Sequence, residues 1–375
     1  MIGIDIFSGA GGMTLGAKLA GVDVRLSAEL DPNAWETYTA NHPSCLALQA
    51  DVGALKRIRI PTPQSQLVVF GGPPCQGFST SNQKTRNKYN EKNWLFKEFF
   101  NVVKSISPEW VVFENVSGIL QTEDGDFVEK ILNTFKKLKY KTAHGILNSE
   151  EFGVPQIRRR FFIIARRSSG PVSLPAPGEG YRVTVAEAIS DLPVLANGDN
   201  KDFLPYATAA SSTFARMMRC NLDECDGHII SKNADNIVER YPHIPQGGNW
   251  EDIPESMMGS YKDRTRCHTG IYRRLNSAEP AVVIGNYRKN MLIHPDQHRG
   301  LSVREAARLQ SFPDWYAFKG SIGFQQQQVG NAVPPLLAAA VFRHLRLLAG
   351  QLPEDVSFES LNPHNRTRVT TEEAA

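Results

Sequence analysis

A chain of 375 residues is long enough for two domains, and 41% hydrophobic with 22% charged residues is the balance of an ordinary soluble globular protein. A formal net charge of +3 excludes a globally basic nucleic-acid binder, so any anionic partner must be met by local clusters. Five cysteines, at 45, 75, 220, 225 and 267, are odd in number and lack framework spacing, which excludes a disulfide scaffold and fits a reducing compartment. No basic run followed by an apolar one opens the chain, and the apolar stretch 332–342 is too short to span a bilayer. A cytoplasmic protein without a membrane partner is expected.

Residues 2–7 read as a buried strand carrying an acid, which runs into Ser8-Gly9-Ala10-Gly11-Gly12 and a helix to residue 20. A glycine-rich turn between strand and helix brings backbone N–H groups and a helix terminus up to a ligand, as nucleotide cofactor loops do. It departs from the G-x-G-x-x-G fingerprint, because the third glycine is Gly12 and Thr14 stands further on. A second strand, 22–28, ends in Glu29, where an acid accepts from ribose hydroxyls in doubly wound folds. Asp31-Pro32 caps and starts a helix, and a third strand, 45–50, ends in Asp51. A glycine turn, a glutamate and an aspartate at three strand ends suit an adenosine moiety without a pyrophosphate.

The apolar run Leu67-Val68-Val69-Phe70 leads into Gly71-Gly72-Pro73-Pro74-Cys75-Gln76-Gly77. Such a loop leaves a sheet at its carboxyl edge, where open α/β folds put their ligands, and its glycines and prolines hold a shape. Cys75 there reads as a nucleophile; the alternative is a packing cysteine. Residues 79–93 are polar, basic and without periodicity, the pattern of a mobile lid. A helical stripe of Leu95, Phe99, Val102, Val103 and Ile106 follows, then a strand from Trp110 that ends in Glu114-Asn115-Val116. Glu114 is thus a carboxylate at a strand end one βα unit after Cys75.

Gln156-Ile157-Arg158-Arg159-Arg160 precedes the strand 161–165, and strand alternation predicts Arg158 and Arg160 on one face, Arg159 on the other. Two guanidiniums on one face suit an anion or a carbonyl oxygen. The Pro, Gly and Ser content of 168–180 marks the exit from a first domain. The expected organisation is a catalytic and cofactor-binding domain over 1–170, an irregular smaller domain over 171–298, a return to the first over 299–350, and a disordered tail over 351–375. Ser302 with Glu305 forms a capping box, and 336–348 is helical. Cys220-x4-Cys225-x2-His228 has the spacing of half a metal site, but no further ligands are evident, so no metal is expected.

Six motifs stand in one order: Phe7-Ser8-Gly9-Ala10-Gly11-Gly12; Pro73-Pro74-Cys75-Gln76; Glu114-Asn115-Val116; Gln156-x-Arg158-x-Arg160; Arg304-Glu305-x-Ala307-Arg308-Leu309-Gln310-x-Phe312-Pro313; and Gly330-Asn331-Ala332-Val333-Pro334. Together they closely resemble the motif series of the bacterial DNA (cytosine-5)-methyltransferases. The resemblance implies an α/β fold, a doubly wound and mostly parallel Rossmann-like sheet, with a second, smaller and irregular target-recognition domain. It implies methyl transfer from S-adenosylmethionine, with S-adenosylhomocysteine as product, to carbon 5 of a cytosine flipped out of duplex DNA. Cys75 would form the covalent adduct, Glu114 would hold ring nitrogen 3, and Arg158 and Arg160 would bind the carbonyl oxygen at position 2.

Cofactor contacts implied by motif are Phe7, Ser8, Gly9, Ala10, Gly11, Gly12, Glu29, Leu30, Asp51, Val52, Leu95, Asn331 and Ala332. Where the family often has a tryptophan after the ribose acid, this chain has Leu30. Candidate DNA contacts are Ser79, Lys84, Arg86 and Lys88 in the lid, and Arg264, Arg266, Arg273, Arg274, Arg288 and Lys289 in the recognition region. The resemblance further implies a monomer in the bacterial cytosol, associated with the nucleoid, that protects host DNA while a cognate restriction endonuclease acts separately. Two alternatives stay open at this point: a tRNA cytosine-5 methyltransferase on the same motifs, and a catalytically silent DNA-binding regulator.

Overall fold

The computed structural model describes residues 1–55, 63, 66–74, 95–178, 180–259, 270–285, 287, 291–352, 354 and 356–365, apart from the side chains of 122–124. They form two compact units, one of Met1–Phe152, Arg159–Glu179 and Val333–Ala375, the other of Gly153–Arg158 and Gly180–Ala332. These limits differ from those that composition suggests. Residues 153–158 and 299–332 group with the second unit, where Gln156 bridges Ala281 and Arg158 reaches Ile284 and Gly330.

The first unit holds strands β1 (Ile2–Ile6), β2 (Asp23–Glu29), β3 (Leu46–Gln49), β4 (Leu67–Gly71), β5 (Trp110–Val116), β6 (Lys141–Asn148) and β7 (Arg159–Arg166) in one sheet, ordered β3-β2-β1-β4-β5-β7-β6. The pairs from β3 to β5 are parallel, and β7 runs antiparallel to both β5 and β6. Every residue of β1 and β4 is buried, as expected of strands covered on both faces, which read as unbroken apolar runs. The chain builds outward from β1 in one direction and from β4 in the other. Their carboxyl ends therefore flank the topological switch point, where doubly wound sheets open a crevice.

Helices α1 (Gly12–Leu19), α2 (Pro32–Asn41), α3 (Leu95–Ile106) and α4 (Asp126–Lys137) belong to this unit. The other unit contributes α5 (Val185–Ile189), α6 (Thr213–Arg219), α7 (Asp235–Val238), α8 (Val303–Leu309) and α9 (Ile322–Asn331), after which α10 (Pro335–Leu348) returns to the first. One face of the sheet packs Ile4, Ile6, Val69, Val111 and Phe113 against Phe96, Phe99 and Val103 of α3 and Phe127, Ile131 and Phe135 of α4. On α1, Gly16 lets α10 approach closely. A Cβ there would lie 2.4 Å from that of Ala338 and 2.5 Å from the Pro335 carbonyl oxygen.

In the second unit regular structure is sparse, and buried ion pairs hold much of it together. Arg308 bridges Asp191 and Asp314 at 2.5 and 2.6 Å, and Arg299 pairs with Glu305 at 2.6 Å. The capping box at the start of α8 forms as expected, with Ser302 and Glu305 each holding the other's backbone N–H. Helix α9 is not announced by the sequence, because Gln325 to Gln328 carry no apolar period. The expected disorder of the tail is corrected over part of its length: Phe358 is 3% exposed, and Glu354 pairs with Arg346 at 3.2 Å. Residues 366–375 lie outside the described residues.

Candidate active site

The first glycine turn closes the end of β1 with two left-handed glycines and one strained residue. Gly9 and Gly11 have φ of 53° and 86°, and Phe7, which has a side chain to clash, has φ of 63°. Glu29, at the end of β2, reaches back to this turn. Its Oε2 accepts from the Gly9 N–H at 2.7 Å, and its Oε1 accepts from Leu30 and Asp31, both at 2.9 Å. Open space surrounds Gly9, where an added Cβ would meet no atom within 4 Å, and the Leu30 side chain is 63% exposed beside the acid. Asp51 caps the turn after β3 by accepting from Gly53 at 2.8 Å, Val52 is buried in the apolar core, and Leu95 opens α3 partly buried. Accepting carboxylates, a glycine cradle and an exposed apolar side chain at adjacent strand ends fit an adenosyl group.

Beneath the turn lies a buried acid that sequence reasoning noted only as part of a strand. Asp5 Oδ2 is 2.6 Å from the Thr14 hydroxyl, which is 3.0 Å from Tyr38 Oη, and Tyr38 donates to Cys45 Sγ at 3.3 Å. Burial pushes the Asp5 carboxyl up to about 8, against the Thr14 hydrogen bond that lowers it.

At the end of β5 the candidate carboxylate and one candidate arginine come together. Arg160 Nε lies 3.1 Å from Glu114 Oε1, and both side chains are largely buried. Burial pulls the Arg160 guanidinium below its usual value, and the Glu114 charge opposes that shift. The loop after β4 passes close to Glu114: a Cβ on Gly72 would fall 2.5 Å from its Oε2. Asn115, next in sequence to Glu114, donates its side-chain amide to the Pro73 carbonyl at 3.1 Å. That places the loop two residues before Cys75 against the Glu114 strand end. Cys75 itself lies outside the described residues, as do Ser79, Lys84, Arg86, Lys88, Arg264, Arg266, Arg288 and Lys289.

Arg158 precedes β7 and is 0% exposed. Its guanidinium donates to the carbonyls of Ile284 at 3.2 Å, Gly330 at 2.7 Å and Ala332 at 3.0 Å, all within the second unit. These bonds are at odds with an Arg158 aimed at a substrate oxygen. Asn331 is exposed at the end of α9, and Ala332 caps that helix.

Arg274 is a correction to the expected DNA contacts. It is 3% exposed and donates to the carbonyls of Tyr241, Ile244, His294, Pro295 and Gln297, so no face remains for a base edge or a phosphate. The adjacent Arg273 is half-buried. Cys225 Sγ and His228 Nε2 lie 3.5 Å apart, but burial pushes the Cys225 thiol up to about 12, and no cluster of three metal-ligating side chains occurs among the described residues. Among those residues no helix is long and apolar enough to cross a membrane.

The profile of the family described as "C-5 cytosine-specific DNA methylase" matches residues 1–346. The chain is 38% identical to the type II methyltransferase M1.HphI of Haemophilus parahaemolyticus, over 90% of this chain and 84% of that one. It is 33% identical to the type II methyltransferase M.DdeI of Desulfomicrobium norvegicum, over 98% and 91% of the two. Among solved structures, a prophage-encoded DNA modification methyltransferase of E. coli superposes with a TM-score of 0.76 at 26% identity, covering 94% of this chain and 100% of that one.

Proposed function

The chain belongs to the C-5 cytosine-specific DNA methylase family and is a DNA cytosine-5 methyltransferase, and from that premise we propose how its residues divide the work. The substrate is a specific sequence in duplex DNA, and the setting is the modification half of a restriction-modification pair, in the bacterial cytosol, with the enzyme acting as a monomer. S-Adenosylmethionine supplies an electrophilic methyl group on sulfur when bound, and S-adenosylhomocysteine is its product. Phe7 and the turn over residues 8–12 would hold the cofactor, with Glu29 available to its ribose and Leu30, Asp51 and Val52 to its adenine.

Carbon 5 of cytosine is a poor nucleophile while the ring is aromatic, and the chain's own side chains remove that obstacle. The base leaves the duplex at a cost of a few kcal/mol, which puts both of its ring faces within reach. The Cys75 thiolate bonds to carbon 6, and the electron pair displaced from the ring double bond makes carbon 5 an enamine carbon that can accept the methyl group. Glu114 shares a proton with ring nitrogen 3 and accepts from the exocyclic amine, while Arg160 donates to the carbonyl oxygen at position 2; both carry away charge delivered by the sulfur. Loss of the carbon-5 proton to water and departure of the Cys75 sulfur restore the aromatic ring.

The observation that carries this reading is the Glu114–Arg160 pair, with Gly72 close to Glu114 and the neighbouring Asn115 bonded to Pro73. A radiolabelled methyl-transfer assay on duplex DNA and on tRNA tests it, together with covalent trapping on duplexes that contain 5-fluorocytosine. The expected result is label in DNA alone, a trapped complex with the wild-type chain, and neither with Cys75→Ser. Label in tRNA, or turnover by Cys75→Ser, would overturn it.

A further inference from the structure

We propose that Asp5 is a positioning residue for cofactor binding, acting as an uncharged acid beneath the turn over residues 7–12. The proposal rests on the reading of that turn as the cofactor cradle and adds a residue that no step of the mechanism uses.

Asp5 lies two residues before Phe7, is 1% exposed, and has Ser27 of β2 and Phe70 of β4 as its register partners, neither of which offers a cation. Among the described residues its Oδ1 finds no hydrogen-bond partner, and its Oδ2 meets the Thr14 hydroxyl. Among the described residues, the other titratable groups around it do not supply a positive charge. Tyr38 and Cys45 are held neutral by burial, and His42, whose Nε2 lies 3.3 Å from the Gly11 carbonyl, is kept neutral by burial as well. The Lys18 ammonium is directed to His42 Nδ1 and Ser44, and Glu29 adds like charge that raises Asp5 further. A carboxylate in such a place would be buried, unpaired and near another acid.

With the proton on Oδ2 the same atoms form a donor chain from Asp5 to Thr14, from Thr14 to Tyr38, and from Tyr38 to Cys45. Each hydroxyl in it both accepts and donates. The chain ties β1, α1, α2 and the residue before β3 together, and β1 and α1 are the two ends of the glycine turn. Ionisation reverses it: Thr14 must donate to Asp5 and accept from Tyr38, and a negative charge appears near the Glu29 carboxylate that holds Gly9. Cofactor affinity is therefore highest while Asp5 keeps its proton and falls as that proton is lost.

Calorimetric titration of the full chain with S-adenosylhomocysteine, at about pH 6.5 and about pH 9, tests this, because the interval brackets the Asp5 ionisation. The wild-type affinity is expected to fall across that interval and that of Asp5→Asn to change much less. Asp5→Leu, which cannot start the donor chain, should bind about fivefold more weakly than Asp5→Asn at the lower pH, the worth of one net hydrogen bond. Thr14→Val stands beside it, since Asp5→Leu can fail to fold, and the same fivefold loss is expected. An Asp5→Asn chain that follows the wild-type decline, or a Thr14→Val chain that binds as wild type does, overturns the proposal. A wild-type chain that binds no S-adenosylhomocysteine at either pH overturns the cofactor reading itself, and the proposal with it.

Discussion

Glu114 and Arg160 are diagonal neighbours across the antiparallel pair of β5 and β7. Glu114 is in register with Phe162 and Val116 with Arg160, so the two side chains share one face of the sheet and meet at 3.1 Å. The pair is held by strands rather than loops, which keeps it in place before any base arrives. Glu114→Gln is expected to lower kcat for methyl transfer by roughly 10²- to 10⁴-fold, the range for a general acid–base group, while S-adenosylhomocysteine binds as before. Steady-state assays with a parallel cofactor titration check this, and an equal loss in cofactor affinity would contradict it.

Gly71 and Gly72 are adjacent and should fail differently. A Cβ on Gly71 would sit 1.8 Å from the Ile6 carbonyl oxygen, which is backbone of the neighbouring strand, so β1 and β4 must part. Gly71→Ala should cost about 1–3 kcal/mol, the range for overpacking a well-filled core, and show as a lowered unfolding midpoint in urea. At Gly72 the obstacle is the free end of the Glu114 side chain, 2.5 Å away, which can swing aside. Gly72→Ala should keep the wild-type midpoint and lose turnover.

Arg274 distinguishes a structural arginine from a base-reading one. Truncating it to alanine takes this donor from the carbonyls of Ile244, His294, Pro295 and Gln297, while that of Tyr241 keeps the Ile244 N–H. The expected cost is roughly 3 kcal/mol or more, from a broken buried network. Chemical unfolding measures it. Unchanged stability with relaxed sequence preference would return Arg274 to the DNA contacts.

Two buried acids shift stability with pH in opposite directions. Burial alone would raise the Glu305 carboxyl, but the Arg299 guanidinium holds it down to about 2, below its unfolded value near 4.5. Its contribution is present above that unfolded value and is lost as pH falls toward 2. Asp5 is raised from 3.8 to about 8, so its contribution is full below 3.8 and is lost as pH rises through 8. Thermal melts over pH should show Glu305→Gln flattening the loss between about 4.5 and 2, and Asp5→Asn flattening the decline between about 3.8 and 8. A variant that leaves its interval unaltered removes that residue from the account.

What the sequence determined by itself is local: the apolar runs of β1 and β4, the glycine turn, the acids that end β2 and β5, the Asp31 cap of α2 and the capping box of α8. Each depends on residues a few positions apart, and strand, turn and cap chemistry act over that distance. Only tertiary structure decided which arginine joins Glu114, because strand alternation describes Arg158 and Arg160 alike. Arg160 lies in a strand hydrogen-bonded to β5, whereas the carbonyl partners of Arg158 stand 126 to 174 residues further along the chain. Arg274 and Asp5 follow the same logic. Burial among backbone carbonyls makes Arg274 a structural clamp, and burial without a facing cation raises the Asp5 carboxyl; both depend on neighbours that the fold, not the local sequence, brings together.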